Sequence, residues 1–106
     1  MIFFETTVFT NQITSLLDDE SYAEFQQVLV ADPEAGNLIP RTGGLRKVRW
    51  RLAGSGKSGG IRIIYYLVCT NQIFLLFAYT KGKQENLTED QVRKLRGLVE
   101  NYLSYE

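Results

Sequence analysis

The centre of the fold is set by residues 61–80, whose sequence is IRIIYYLVCTNQIFLLFAYT. Residues 61–69 and 73–80 are rich in β-branched and aromatic side chains at consecutive positions, which is typical of strands covered on both faces. Thr70, Asn71 and Gln72 separate the two runs and suit a tight hairpin. We therefore expect an antiparallel pair of strands at the centre of a sheet.

Apolar and basic residues alternate in the segment before this pair. The apolar set is Val48, Trp50 and Leu52, and the basic set is Lys47, Arg49 and Arg51. Since successive side chains of a strand point to opposite faces, a strand here buries the first set and displays the second. Residues 53–60, rich in glycine and serine, connect it to the central pair.

The N-terminal third predicts an edge strand and two helices. Residues 2–5 are a short apolar start that suits an edge strand. Ile13, Leu16 and Leu17 lie at helical spacing and predict a short helix after Thr10. A second helix begins at residues 21–24, which have the form of a capping box, and ends at Asp32 and Pro33.

The C-terminal segment predicts a third helix. Thr88 and Gln91 have the spacing of a capping box, and Val92 is placed to pack back onto Leu87. The expected buried stripe is Val92, Leu95, Leu98, Val99 and Tyr102. The elements together predict the α+β class, with an antiparallel β-sheet meander, two N-terminal helices and one C-terminal helix, in a single domain over residues 1–106.

The zero net charge conceals a strong asymmetry along the chain. Residues 1–34 hold seven acids and no base, whereas residues 35–84 hold nine lysines and arginines and no acid. A folded basic surface of this kind favours a polyanionic partner, most simply nucleic acid.

The composition also excludes several classes of site. Without histidine, and with Cys69 as the single cysteine, the chain lacks the usual ligands of zinc and transition metals and the commonest general base of enzymes. Neither half of residues 61–80 is long enough to span a bilayer, and the N-terminus does not resemble a signal peptide. We expect a cytoplasmic protein with no metal, no cofactor and no membrane contact.

The alternating strand is the first candidate site. Neighbouring cations on one face of a strand lie about 6–7 Å apart, close to the spacing of successive phosphates. Arg62 interrupts an apolar strand, so it either pairs with an acid of a helix or points into a phosphate site. The expected RNA-binding residues are Arg46, Trp50, Arg51, Lys57 and Lys81. Trp50 either stacks on a base or belongs to the core, and Lys57 either reaches a phosphate or lies in a plain connection between strands.

If these groups converge on RNA, the 2′-hydroxyl can attack the adjacent phosphate without a metal. Such a reaction needs a base, charge stabilisation and an acid. In the absence of histidine the base is a lysine, a tyrosine or Glu85, and Lys47, crowded by Arg49 and Arg51, is the preferred candidate.

Three stretches carry a resemblance to a known family. They are residues 42–49 (TGGLRKVR), residues 59–66 (GGIRIIYY), and the segment from Tyr79 through Gly82-Lys83 to Leu87-Thr88. Over nearly its whole length the chain resembles RelE/HigB-type toxins of the RelE/ParE superfamily of bacterial toxin–antitoxin systems. The resemblance implies a RelE-like fold and an endoribonuclease that cuts mRNA on the translating ribosome without a cofactor. It also implies a cognate antitoxin, which usually binds DNA and is encoded by the adjacent gene. The toxin is expected to contact operator DNA only through this antitoxin.

By motif position, the resemblance implies four catalytic residues: Lys47, Arg49, Arg62 and Lys83. Gln84 and Leu87 stand near places where many RelE proteins carry an arginine and a tyrosine, so the acid that protonates the leaving oxygen is not assigned. Two other functions remain open: a ParE-like inhibitor of DNA gyrase, and a nucleic-acid-binding regulatory module without catalysis.

Overall fold

The computed structural model describes residues 1–51 and 60–104. The elements are β1 (Ile2–Glu5), α1 (Thr7–Leu16), α2 (Asp19–Ala31), β2 (Asn37–Leu38), β3 (Leu45–Trp50), β4 (Ile61–Cys69), β5 (Gln72–Thr80) and α3 (Glu89–Ser104). The predicted α+β class is confirmed: strands β2 to β5 form an antiparallel meander, with two helices before it and one after it. Strand β1 adds to the edge of β5 in the parallel sense, so the five-stranded sheet is mixed.

The central hairpin has the turn that its sequence predicts. Cys69 pairs with Gln72, so Thr70 and Asn71 form a two-residue turn between β4 and β5. Both strands lie inside the sheet, whose order is β1-β5-β4-β3-β2. The pairing of β4 with β5 shifts by one residue at two places beyond the turn. The second shift cancels the first, so Arg62 lies directly opposite Tyr79.

Helices cover both faces of the sheet, which explains why the central strands are apolar at consecutive positions. Helices α1 and α2 cover one face. The buried residues there include Phe9, Ile13, Phe25, Leu29, Ile61, Ile63, Tyr65, Ile73 and Leu75. Helix α3 covers part of the other face, where the buried residues are Leu45, Ile64, Phe74, Leu76, Tyr79, Leu95 and Val99.

The two N-terminal helices begin earlier than expected. Helix α1 starts before Thr10 because the Thr6 hydroxyl accepts the backbone N–H of Phe9 at 2.9 Å and caps it. Helix α2 is capped by Asp18, whose carboxylate accepts the backbone N–H of Ser21 at 2.7 Å. The prediction that residues 21–24 form the capping box was therefore wrong, since an equally good capping side chain lies one turn earlier.

Helix α3 has the start that its sequence predicts. Thr88 donates its backbone N–H to the Gln91 side chain at 2.9 Å, and Gln91 donates its own to the Thr88 hydroxyl at 3.1 Å. Leu95 and Val99 are buried as expected, but Leu98 is 43% exposed, so its place in the buried stripe was wrong. The sheet meets a narrower stripe of the helix than the apolar residues suggest.

Candidate functional site

A row of three polar side chains crosses three adjacent strands of the sheet. Arg49 of β3 lies directly opposite Arg62 of β4, and Arg62 lies directly opposite Tyr79 of β5. Directly paired residues project from the same face of a sheet, and Tyr79 belongs to the core beneath α3. Lys47 lies two residues from Arg49 in β3 and therefore projects from this face as well. The structure thus brings Lys47, Arg49 and Arg62 together on one side of the sheet.

Arg62 is the most buried cation of this row. It is 6% exposed, and within residues 1–51 and 60–104 no carboxylate oxygen lies within 4.0 Å of its guanidinium. Of the two alternatives for Arg62, pairing with a helix acid is therefore not observed in the described residues. A buried arginine of this kind is electrostatically suited to bind an incoming anion.

Gly60 allows the Arg62 side chain to fold back along the strand. A Cβ atom added at Gly60 would lie 3.1 Å from Nη1 of Arg62 and 3.6 Å from the carbonyl oxygen of Trp50. A side chain at residue 60 would therefore require the guanidinium to shift by a few tenths of an ångström. This contact gives a structural reason for glycine at the entrance to β4.

Tyr79 contributes an O–H group to the row. Burial raises the pKa of its phenol, and the charge of nearby Arg62 lowers it by a smaller amount. The phenol thus stays protonated at neutral pH. Its hydroxyl donates a long hydrogen bond, 3.4 Å, to the backbone carbonyl of Glu85.

An open groove of about 330 Å³ continues from this row. Lys47 and Tyr79 lie in it between the loop before β3 and the first turn of α3. The lining residues are Ile39, Pro40, Arg41, Thr42, Lys47, Tyr79, Asn86, Leu87, Glu89 and Val92. Nζ of Lys47 donates a hydrogen bond of 3.1 Å to Oδ1 of Asn86, which holds the amine against the α3 side of the groove.

The loop before β3 has an unusual backbone that aims Arg41 into the groove wall. Gly43 and Gly44 have φ values of 75° and 112°, in the left-handed region that favours glycine. Arg41 also has a positive φ, 62°, which is uncommon for a residue with a side chain. The Thr42 hydroxyl stabilises the loop by donating to the carbonyl of Ile39 at 2.6 Å and accepting the N–H of Leu45 at 3.2 Å.

Two residues expected to bind RNA lie on the opposite side of the sheet. Arg46 donates a hydrogen bond of 2.7 Å to the carbonyl of Gly36 and forms an ion pair of 3.7 Å with Glu34. Trp50 packs edge-on against Phe25, with ring centroids 5.5 Å apart, on the α1–α2 side. The interpretation of these two as RNA contacts does not agree with this placement, because alternation along β3 directs them away from Lys47 and Arg49.

The other predicted RNA contacts are dispersed. Arg51 is exposed just after β3, and Lys57 lies outside the described residues. Lys81 and Lys83 are exposed in the turn that follows β5. Lys83 lines a neighbouring cleft of about 300 Å³ beside Gln12 and Leu16 of α1. Tyr79 borders both the cleft and the groove of Lys47, but Lys83 is not among the residues that line the groove.

Sequence reasoning missed Arg41, Asn86 and the alignment of Tyr79 with Arg62. The position of Tyr79 could have been found from the sequence. If Thr70 and Asn71 form a two-residue turn, pairing the two strands residue by residue away from that turn places residue 79 opposite residue 62. Arg41 and Asn86 had none, since loop residues from distant parts of the chain meet here without a periodic pattern.

The described residues hold neither a metal-ligand cluster nor a membrane span. In residues 1–51 and 60–104, no three or more His, Cys, Asp and Glu side chains gather where they could hold an ion. No helix in these ranges is long and apolar enough to cross a bilayer.

Almost the entire chain matches a known protein family. Residues 8–106 match the family described as the RelE toxin of the RelE/RelB toxin–antitoxin system. The match includes α2, α3, all of α1 except its first residue, β2 to β5 and both arginines of the row. Toxins of this family act with an antitoxin as partner. With its RelE-like α+β architecture and its basic groove, this chain belongs to the RelE toxin family and is a toxin of a type II toxin–antitoxin system.

Proposed function

We propose that the protein is a ribosome-dependent mRNA endoribonuclease that inhibits translation. The observation that carries this proposal is the row of Arg49, Arg62 and Tyr79 on the same face as Lys47, beside an open groove. Membership of the RelE family supports the same activity, since these toxins are generally endoribonucleases. A cationic row without a carboxylate partner in the described residues suits a phosphodiester better than it suits a purely structural role.

The proposed reaction needs no metal. The 2′-oxygen of the ribose attacks the adjacent phosphorus, and a base removes the 2′-proton. The new bond joins O2′ to phosphorus, and the bond from phosphorus to O5′ breaks. The products are a 2′,3′-cyclic phosphate and a 5′-hydroxyl, whose oxygen takes a proton from an acid. Negative charge accumulates on the phosphoryl oxygens in the transition state, where guanidinium groups stabilise it.

The row and Lys47 together supply a group for each role. We assign Lys47 as the candidate base, held in position by Asn86, and Arg49 and Arg62 as the groups that stabilise the phosphate. We assign Tyr79 as the candidate acid, because burial keeps its phenol protonated and it lies opposite Arg62. Lys83, Lys81 and Arg51 are exposed and are proposed to contact RNA outside the groove.

The central experiment uses purified protein in a translation extract with a defined mRNA. Wild-type protein should stop synthesis and produce mRNA fragments with new 5′ ends, and Arg62→Ala should reduce cleavage by about 10²- to 10³-fold, as removal of one charge-stabilising donor does in other enzymes. Arg93→Ala is the matched control, because Arg93 is an exposed arginine paired with Asp90 on α3. Cleavage by Arg62→Ala at the wild-type rate would remove Arg62 from the mechanism.

A parallel assay addresses the two other functions. Inhibition of gyrase supercoiling by wild-type protein that leaves mRNA intact would replace the nuclease proposal with a gyrase inhibitor. Salt-sensitive binding of RNA that remains intact would indicate a module without catalysis. Co-expression of the adjacent gene should suppress growth arrest if that gene encodes the antitoxin.

A further inference from the structure

A pair of glutamine side chains holds residues 84–88, the segment that leads into α3. Nε2 of Gln84 donates to Oε1 of Gln91 at 2.8 Å, and Nε2 of Gln91 donates to Oε1 of Gln84 at 3.3 Å. Both side chains are partly buried, so water competes less for these bonds. The two amides therefore form a closed pair between the start of the segment and the first turn of α3.

The same two amides fix the backbone of the segment. The second N–H of Gln84 Nε2 donates to the carbonyl of Asn86 at 2.9 Å, and Oε1 of Gln91 also accepts the backbone N–H of Thr88 at 2.9 Å. Exchanging N and O in either amide would place donor against donor or acceptor against acceptor, so the orientation of both amides is determined. The middle and the end of the segment are thus bonded to one pair of side chains.

The segment contacts both groups that the proposed reaction uses as base and acid. Oδ1 of Asn86 accepts the hydrogen bond of 3.1 Å from Nζ of Lys47. The carbonyl of Glu85 accepts the hydrogen bond of 3.4 Å from the Tyr79 hydroxyl. Lys47 lies on β3 and Tyr79 on β5, with β4 between them. One short stretch of chain therefore links the two candidate reacting groups across the sheet.

The segment also forms the wall between the groove and the neighbouring cleft. Asn86 and Leu87 line the groove of Lys47, whereas Gln84 lines the cleft of Lys83. Leu87 packs against the core beneath α3 and anchors the segment on its inner side. A displacement of the segment would therefore move the hydrogen-bond acceptor of Lys47 within the groove.

We infer that Gln84 and Gln91 are positioning residues, whose amide pair fixes residues 84–88. The segment in turn holds the candidate base through Asn86 and the candidate acid through Glu85. Neither glutamine lines the groove, so each acts through the segment rather than on the RNA. The inference rests on the proposed nuclease function and extends it to the residues that set the geometry of the site.

Gln91→Glu breaks the pair without removing the helix cap. Glutamate serves as well as glutamine in a capping box, and an acid in the first turn favours the helix, so the urea midpoint should be unchanged or higher. One carboxylate oxygen would, however, face Oε1 of Gln84, where an N–H now donates. Gln84→Glu creates the same conflict from the other side, because its new oxygen would face the carbonyl of Asn86.

Initial rates of mRNA cleavage over a range of programmed-ribosome concentrations test the role. Both variants should lower kcat by about 10- to 100-fold while KM stays within about twofold of wild type, because a displacement of about 1 Å can cost this much in rate. A carboxylate that only repelled RNA would raise KM with little change in kcat, and that result would overturn the inference. Gln27→Glu, the same substitution on the exposed face of α2, is the matched control and should change neither constant.

A measurement on the free protein separates this inference from the proposed function. In isotope-labelled protein, Lys47→Ala marks where the side-chain amide signal of Asn86 lies without its lysine partner. Gln91→Glu should move the signal of Asn86 toward that position. This shift in a protein that cleaves no RNA would support the positioning role and refute the nuclease alone. An Asn86 signal that stays at its wild-type position, or a wild-type kcat in a variant whose signal has moved, would overturn the positioning role and leave the nuclease standing.

Discussion

Replacing Arg62 by methionine should make the protein more stable while removing its activity. Arg62 is 6% exposed in the middle of the sheet, directly opposite Arg49, and the described residues place no carboxylate within 4.0 Å of it. Methionine keeps a long unbranched chain of similar reach but carries no charge. The substitution therefore tests whether the cation is retained for an anion rather than for the fold.

The expected magnitude follows from two electrostatic costs. Removing a charge from water costs several kcal/mol even after the protein relaxes, and a like charge directly across a strand pair adds about 0.2–1 kcal/mol. Apolar replacement of buried ionic groups is often stabilising by about 1–4 kcal/mol. We expect Arg62→Met to raise the free energy of unfolding by about 1–3 kcal/mol.

The assay is urea unfolding at pH 7, measured in sodium chloride and in sodium sulfate at equal ionic strength. Sulfate stands in for the phosphate group, and an anion at ten times its dissociation constant stabilises the folded state by about 1.4 kcal/mol. In sulfate, the free energy of unfolding of the wild-type protein should rise by this amount in addition to the general salting-out effect of sulfate. The Arg62→Met protein should show only the salting-out effect. Arg93→Met, on the exposed surface of α3, should respond to sulfate as wild type does.

Two results would refute the reasoning. One is a loss of more than about 1 kcal/mol of stability in Arg62→Met, which would mean that the guanidinium supports the fold through bonds worth more than its burial costs. The other is an equal response to sulfate in the wild-type and substituted proteins, which would mean that the row does not bind an anion.

Four further outcomes are expected. Gly60→Ala should lower mRNA cleavage more than tenfold with less than about 1 kcal/mol lost in urea unfolding, because the new Cβ would meet the Arg62 guanidinium at 3.1 Å; unchanged cleavage would contradict this geometry. Tyr65→Phe should cost about 2–4 kcal/mol in the same measurement, since the Tyr65 hydroxyl bonds to two backbone groups of residues 33–36 at 2.8 and 2.9 Å. Burial raises the pKa of Tyr65, so the contribution of Tyr65 to stability should be constant below pH about 10, the ordinary pKa of the phenol in the unfolded chain, and should be lost as the pH rises above it; a pH titration of unfolding above pH about 10 should be flatter in Tyr65→Phe. Arg41→Gly should weaken RNA binding in a filter assay without loss of stability. Glycine removes the strain of a positive φ, which costs about 1–2 kcal/mol, and this gain offsets the greater chain entropy that glycine loses on folding, which costs about 0.5–1 kcal/mol.

Local patterns in the sequence determined the elements of this protein. Strands covered on both faces must be apolar at consecutive positions, and the alternation in β3 separated Lys47 and Arg49 from Val48 because the pleat has a period of two. The start of α3 followed from the reciprocal bonds of Thr88 and Gln91, which depend on residues three apart. The predicted start of α2 was wrong because two side chains that can cap a helix, Asp18 and Ser21, lie within one turn of each other.

The site depended on the tertiary structure, because its parts meet only through long-range pairing. The register of β3 on β4 puts Arg49 opposite Arg62, and no local rule fixes it across the connection between the two strands. The groove joins a loop around Arg41 to the segment that enters α3, with Asn86 and Glu89, more than forty residues away in the chain. The sequence supplies the charged residues and their order along the chain. The pairing of the strands and the packing of α3 decide whether those charges converge on one face. The reason is physical: a site attracts a phosphate only when its charges lie close together in space.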